Sequence, residues 1–289
     1  MHRRELLKGV VFGGAALALR PSMAASRTGS GDAAARFAAL ERRHGGRLGV
    51  AILDTGSGWR VAHRGDERFL MCSTFKLLLA AAVLARVDSG EEKLDRRIVY
   101  GNDVLLDYAP VTRRHVGSSG MTVAQLCGAA ITLSDNTAAN LLLRQIGGPH
   151  ALTAFARSLG DPVTRLDRIE PALNRPDGEK DTTTPRATLG DIHKLLLGDA
   201  LSQPSRARLT DWLLHCQTGK DALRAGLPAD WREGDKTGSG HTANNDVAIL
   251  WPPRRGPLLV TAYYDNVNAD VAARQAVLAD VGRIVATLA

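Results

Sequence analysis

Met71-Cys72-Ser73-Thr74-Phe75-Lys76 runs straight into the apolar stretch Leu77 to Val87. Thr74 to Val87 reads as one helix, rich in Ala and Leu, with no Gly or Pro before Gly90. Its interior is apolar almost all round, the mark of a helix in the middle of a domain rather than on its surface. Ser73 and Lys76 are three residues apart on its first turn and share a face, so the amine can reach the hydroxyl. The helix start also offers unpaired N–H groups and a positive dipole end, which suit an anionic intermediate on Ser73. The alternative is an N-capping Ser with a Lys that snorkels outward. A Ser-x-x-Lys spacing turns up about once by chance in a chain of this length, so the pair decides nothing alone.

Working outward, the N-terminal side reads as a helix from Asp32 to His44, stopped by Gly45-Gly46. A strand from Arg47 to Asp54, a tight turn at Thr55-Gly56-Ser57-Gly58 and a second strand from Trp59 to His63 follow. Beyond the buried helix, Asp103 to Ser119 is loop-like. Helices are expected over Met121 to Thr132, Thr137 to Ile146 and Phe155 to Leu159. Arg165 to Asp181 is rich in Pro, Asp and Gly, has no period, and is expected to be a long surface loop. Thr184-Pro185 is an N-cap with Pro at the first helical position, opening a helix to Leu197; Pro204 to Cys216 gives another. From Trp231 the character changes to strands, at Glu233 to Ser239, Asp246 to Trp251 and Leu258 to Tyr264. Val271 to Leu288 forms a closing helix.

Strands at both ends with helices between them point to α/β plus all-α architecture. An antiparallel sheet flanked by terminal helices would be built from both ends of the chain, with an all-helical domain inserted. The expected division is 26–69 with 217–289 for the α/β domain and 70–216 for the helical one. Residues 1–25 read as an export signal: Arg3-Arg4 and Lys8 supply the charged start, Val10 to Leu19 the apolar core, and Ser22, Ala24 and Ala25 the small residues. The core is too short for a bilayer, which takes about 20 residues, so no membrane anchor is expected. The paired arginines fit a twin-arginine signal; an ordinary secretory signal is the alternative.

The net charge is +7. Beyond residue 24 it is spread as 33 Lys and Arg against 29 Asp and Glu, with no basic block. That gives no footprint for nucleic acid. Three cysteines, Cys72, Cys127 and Cys216, are an odd count and deny a full disulfide framework; free, mostly buried thiols are expected. Cys72, just before the helix, should point away from Ser73. The eight histidines form neither His-x-His nor His-Glu-x-x-His, which disfavours a metal centre, and no cofactor is called for.

Three more motifs bear on Ser73. Ser134-Asp135-Asn136 lies at a helix–helix junction, where all three residue types are common N-caps. Lys236-Thr237-Gly238 lies on a strand, and a charged edge strand is the plainer account of it. Glu170-Pro171-Ala172-Leu173-Asn174 lies in the irregular loop, where the acid could simply be solvated. All of them together, in this order, with Ser-x-x-Lys on a buried helix, are not accidental.

With these motifs the chain resembles the class A β-lactamases over residues 35–285. Tyr108 to Thr112, Thr132 to Leu143, Thr164 to Arg168 and Asp181 to Pro185 look family-like as well. The resemblance implies acyl transfer: a serine opens the β-lactam ring, an acyl-enzyme forms, and water releases it. It implies Ser73 as nucleophile and Lys76 as the group that carries its proton away, directly or through Glu170 and a water. It also implies an oxyanion held by the N–H groups of Ser73 and Ser239, where one donor is typically worth about 2.7–4 kcal/mol. Ser134 would pass a proton to the departing nitrogen, and Asn136 would hold Lys76 and the substrate amide. Lys236 and Thr237 would meet the substrate carboxylate, and Tyr108 would flank the cleft. Glu170 would be the general base for the deacylating water, which Asn174 helps to position.

Two departures from the family pattern stand out. The loop from Glu170 to Asp181 looks shorter by about two residues, although the Arg168–Asp181 pair that would close it is present. The segment His241 to Asp246 lacks the arginine that many members use for the carboxylate, which leaves Arg224 and Arg274 as candidates. Gly240 stands where some members pair a second cysteine with the one before the nucleophile, so Cys72 cannot make that bridge. Two other readings stay open, a penicillin-binding D-Ala-D-Ala peptidase and a β-lactam sensor stalled after acylation. A monomeric, periplasmic protein that binds only a small-molecule β-lactam is expected.

Overall fold

The computed structural model describes residues 23–117 and 119–288. Most of the export-signal reading, residues 1–22, lies outside the described residues. Among the described residues no helix is long and apolar enough to cross a membrane.

The chain begins with α1 (Met23–His44), β1 (Arg47–Asp54), β2 (Arg60–His63) and the short strand β3 (Phe69–Leu70). A 3₁₀ turn, Cys72–Thr74, leads into α2 (Phe75–Asp88). Next come β4 (Arg97–Ile98), β5 (Met121–Thr122), α3 (Val123–Thr132), α4 (Asn136–Ile146) and α5 (Pro149–Ser158). They are followed by β6 (Thr182–Thr183), α6 (Pro185–Leu196), α7 (Gln203–Leu214), β7 (Arg232–Ser239), β8 (Ala243–Trp251), β9 (Leu258–Asp265) and α8 (Val271–Ala286).

The main sheet has the order β2-β1-β9-β8-β7, antiparallel throughout. Its central strands read as unbroken apolar runs because both faces are covered. Leu48, Val50 and Ile52 of β1 join Ala248, Leu250, Val260 and Ala262 in one core with Phe37 of α1 and Val277, Leu278 and Val281 of α8. The alternate residues Ala51, Leu53, Val247, Ile249, Leu259 and Tyr263 belong to the other core, shared with the helices. Period-two alternation thus sorts one sheet between two hydrophobic layers. The second layer begins with α6, which packs on β1 and β9.

Within the helical body α2 is the hub. Phe75 to Leu84 are all buried, and the helix touches α3, α4, α5 and α7. Truncating a residue such as Leu79, fully buried here, would cost about 2–5 kcal/mol through lost transfer energy and the cavity left behind. Caps set the boundaries. Thr122 and Gln125 form a reciprocal capping box on α3, and Thr184 caps α6 ahead of Pro185.

Several boundaries differ from the sequence reading: α1 begins at Met23 rather than Asp32, and β8 at Ala243 rather than Asp246. The short helix expected at Phe155 to Leu159 is α5, and it begins at Pro149. Gly147 ends α4 in a left-handed conformation, and Pro149 then serves as the first residue of the next helix rather than only as a stop. The loop from Arg165 to Asp181 is irregular apart from one 3₁₀ turn, Ala172–Asn174, and is anchored inward by Leu166 and Leu173.

Candidate active site

Ser73 sits in the 3₁₀ turn ahead of α2, with Cys72 before it in a left-handed conformation. No side-chain cap is present at either start, so Ser73 is not an N-cap. Lys76 does not snorkel; it is fully buried. Its Nζ lies 2.8 Å from Ser73 Oγ, 2.6 Å from Asn136 Oδ1, 2.9 Å from the Ser134 carbonyl and 3.0 Å from Glu170 Oε1. Burial pushes the Lys76 ammonium down to about 8, against the pull of Glu170, which favours the charge. Asn136 Oδ1, the Ser134 carbonyl and Glu170 Oε1 can only accept, so together they use all three ammonium protons.

Ser134-Asp135-Asn136 divides its labour. Ser134 takes a positive φ of 57°, which turns it toward the cleft while Asp135 points inward. Asp135 is the cap that residue type suggested: its carboxylate accepts from Ala138 N on α4. It also accepts from the N–H groups of Val111 and Thr112, each at 2.9 Å, and from the Thr112 hydroxyl. With the Asn136 N–H donating to the Tyr108 carbonyl, this ties the Tyr108 segment to the junction. Tyr108 stays half exposed at the rim.

β7 is an edge strand, yet Lys236 on it is buried, and burial lowers the pKa of its ammonium. Lys236 Nζ donates to Ser134 Oγ at 3.2 Å and to the Thr237 carbonyl at 2.7 Å. Ser134 Oγ therefore accepts from the Lys236 ammonium and lies 3.3 Å from Lys76 Nζ, which leaves its own proton free to be donated. Gly238 lets β7 approach the nucleophile turn, since a Cβ there would lie 2.8 Å from the Met71 carbonyl. Asn245 clamps the same turn by donating to the carbonyls of Leu70 and Met71 at 2.8 and 3.0 Å. Ser239 is thereby held on the cleft wall near Ser73.

Glu170 hangs from the irregular loop but is buried, not solvated. Asn140 of α4 holds its backbone by two bonds, Glu170 N–H to Asn140 Oδ1 at 3.0 Å and Asn140 Nδ2 to the Glu170 carbonyl at 2.9 Å. Oε1 also accepts from Ser73 Oγ at 3.3 Å, and Oε2 accepts from Asn174 Nδ2 at 2.5 Å. Asn174 Oδ1 is buried without a protein partner. Beneath the loop, the buried Asp181 accepts from Arg168 Nε at 2.6 Å and from the N–H groups of Asp167 and Arg168.

These groups border a cleft of about 280 Å³ lined by Ser73, Tyr108, Ser134, Asn136, Asn174, Thr237 and Ser239. Lys76, Glu170 and Lys236 lie beneath its floor. All ten site residues named from the sequence are therefore gathered at one place. The two candidate arginines are not. Arg224 spends its donors on Glu233, Asp235 and the Cys216 carbonyl, and Arg274 is buried against Asn244 and the carbonyls of Asn266 and Ala269. Neither lines the cleft; Asn244, Gln275 and Thr218 do.

The cysteines are free and buried. A Cβ on Gly240 would lie 2.7 Å from Cys72 Sγ, so the thiol faces Gly240 rather than the cleft. Burial raises its pKa, which leaves it inert as a nucleophile. Among the described residues no group of His, Cys, Asp and Glu is arranged to hold a metal ion.

Comparison with known proteins agrees with this geometry. Residues 32–288 match the model of the β-lactamase enzyme family. The chain is 52% identical over 256 residues to the L2 β-lactamase of Stenotrophomonas maltophilia, covering 87% of this chain and 84% of that one. It is 48% identical over 303 residues to a β-lactamase of Streptomyces albus G, covering 98% and 96%. Among solved structures, an ancestral class A β-lactamase superposes with a TM-score of 0.86 at 64% identity, covering 88% of this chain and 98% of that one. A β-lactamase from Xanthomonas campestris gives 0.87 at 52% identity, covering 90% and 98%.

Proposed function

The chain belongs to the class A β-lactamases, enzymes that hydrolyse the β-lactam amide bond and confer resistance, and from that premise we propose how its own residues divide the work. Ser73 attacks the β-lactam carbonyl of a penicillin or cephalosporin, and the oxyanion rests on the N–H groups of Ser73 and Ser239. Its proton passes to Glu170, directly or through a water. The Lys76 ammonium, its protons committed to three acceptors, supplies charge rather than a lone pair. Ser134 gives its free proton to the departing ring nitrogen and regains one from Lys76, which recovers its own from the newly protonated Glu170 and so returns that side chain to the carboxylate form. Lys236 and Thr237 receive the substrate carboxylate, Asn136 the substrate amide, and Tyr108 bounds the mouth.

Deacylation then needs a water beside a base. Glu170, held by Asn140 and Asn174, is that base, and the unpartnered Asn174 Oδ1 offers the water a second acceptor. The observation that carries this reading is the placement of one buried carboxylate 3.3 Å from Ser73 Oγ and 3.0 Å from Lys76 Nζ. A sensor that stays acylated by the drug has no use for a base there.

Export to the periplasm through the signal in residues 1–25, removal of that segment, and action as a monomer belong to the same proposal. So does the division into a 26–69 plus 217–289 unit and a 70–216 unit. Purified protein mixed with benzylpenicillin tests the core of it. Ring opening through many turnovers with no lasting mass increase supports the hydrolase. A persistent adduct without turnover overturns it in favour of the peptidase or sensor.

A further inference from the structure

Thr237 is where the reading above seats the substrate carboxylate, and the inference here rests on that reading. Among the described residues lining the cleft none is Arg or Lys. The nearby ammonium of Lys236 is buried and shared between Ser134 and the Thr237 carbonyl. The direction of the Thr237 hydroxyl therefore matters more than it would beside an exposed guanidinium.

That hydroxyl has a partner behind it. Thr218, on the segment after α7, lines the same cleft with its Oγ1 2.5 Å from Thr237 Oγ1. On its other side Thr218 Oγ1 meets Cys216 Sγ at 3.3 Å. Either member of each pair could donate, so the chain has two orientations. In one, Thr237 donates inward to Thr218 and presents lone pairs to the cleft. In the other, Cys216 S–H donates to Thr218, Thr218 O–H donates to Thr237, and Thr237 O–H faces the cleft. A carboxylate only accepts, so its arrival selects the second orientation. Burial, with Asp235 nearby, pushes the Cys216 thiol up to about 11, so it keeps its proton, for which the Asp235 carboxylate competes with Thr218.

We propose that Thr218 is a positioning residue for substrate recognition: backed by the Cys216 thiol, it holds the Thr237 hydroxyl as a donor toward the β-lactam carboxylate. Thr218 acts through Thr237 and takes no part in the bond-breaking steps. Its loss therefore raises KM for an anionic substrate more than it lowers kcat.

The test compares benzylpenicillin with its methyl ester in the wild type and in Thr218→Val, Thr218→Ser and Cys216→Ala. Thr218→Val should raise KM for the acid and cut the acid-over-ester preference in kcat/KM about tenfold, the scale of a lost hydrogen bond to a charged group. Thr218→Ser should restore the preference, and Cys216→Ala should lower it about twofold to threefold. Equal losses on acid and ester, or an unchanged KM for the acid, would overturn the proposal. If Thr218→Val does not fold, Cys216→Ala decides by the same ratio: a lowered preference supports the chain and an unchanged one overturns it. Failure of the wild type to hydrolyse benzylpenicillin would instead strike the functional reading on which this rests.

Discussion

Glu170 Oε1 stands 3.0 Å from the Lys76 nitrogen, with both side chains sealed from solvent. A buried pair of this kind is a poor stabiliser, because desolvation offsets most of the attraction, and breaking it strands a charge. Its value lies in reactivity. Burial brings the lysine to about 8, within reach of ordinary buffers, and the carboxylate keeps it from falling further.

That coupling gives opposite pH profiles to the wild type and to Glu170→Ala. In the wild type the ammonium is the useful form, so the single-turnover acylation rate should fall as pH rises through about 8. In Glu170→Ala the lysine loses its counter-charge, its pKa drops further, and the neutral amine can accept the Ser73 proton. Acylation of that variant should rise with pH, with a midpoint below that of the wild type. Stopped-flow traces from pH 6 to 9.5 read both, and parallel profiles would contradict the assignment.

Asn140 holds the backbone of Glu170 through two hydrogen bonds. Asn140→Leu should leave the carboxylate present but misplaced, which can cost about 100-fold. The loss should fall on kcat through deacylation, producing a burst of product followed by a slow steady state. A uniform loss without a burst would mean that the asparagine serves acylation equally.

Asp181 is fully buried, and Arg168 and two backbone N–H groups depend on it. Asp181→Ala should destabilise the protein by about 2–3 kcal/mol, less than a wholly buried pair because the arginine is partly exposed. It should also lower kcat by releasing the loop that carries Glu170. Thermal melts and benzylpenicillin kinetics check the two effects, and a stable, fully active variant would show that the loop is held by other contacts.

Asp191 of α6 carries a different signature. Burial first, and then the like charge of Asp161, push its carboxyl up to about 9, against Lys194 and Arg157. The unfolded carboxyl titrates near its ordinary value of 3.8. Between the two values the folded chain holds a proton that the unfolded chain has lost, so this group reduces stability as pH climbs. Asp191→Asn removes that dependence. It should raise the melting temperature at pH 8 and change it little at pH 4, and an equal shift at both would place the effect in packing alone.

The chemistry was more legible in the sequence than the framework that holds it. Ser73, Lys76, Ser134, Lys236 and Glu170 stand out in the sequence only together, as motifs that resemble those of the class A β-lactamases. The tertiary partners do not. Asn140 sits at an ordinary helical position, and its role appears only when the loop folds back over α4. Asp135 reads as a cap, which it is, while its hold on Val111 and Thr112 spans more than twenty residues. Arg224 and Arg274 are plausible by charge alone, but the ion pairs of Arg224 with Glu233 and Asp235 and the burial of Arg274 against Asn244 keep them out of the cleft. The sheet was readable because its strands are short and apolar, but only their pairing reveals that alternate residues serve two cores.

On the proposed mechanism, a carboxylate from the irregular loop frees the enzyme from its own acyl intermediate. Intact-mass spectrometry of Glu170→Ala after mixing with benzylpenicillin tests it most directly, with Ser73→Ala as control. A lasting mass increase equal to one penicillin is expected on Glu170→Ala and none on Ser73→Ala. Rapid return of Glu170→Ala to its unmodified mass, with turnover matching the wild type, would contradict it.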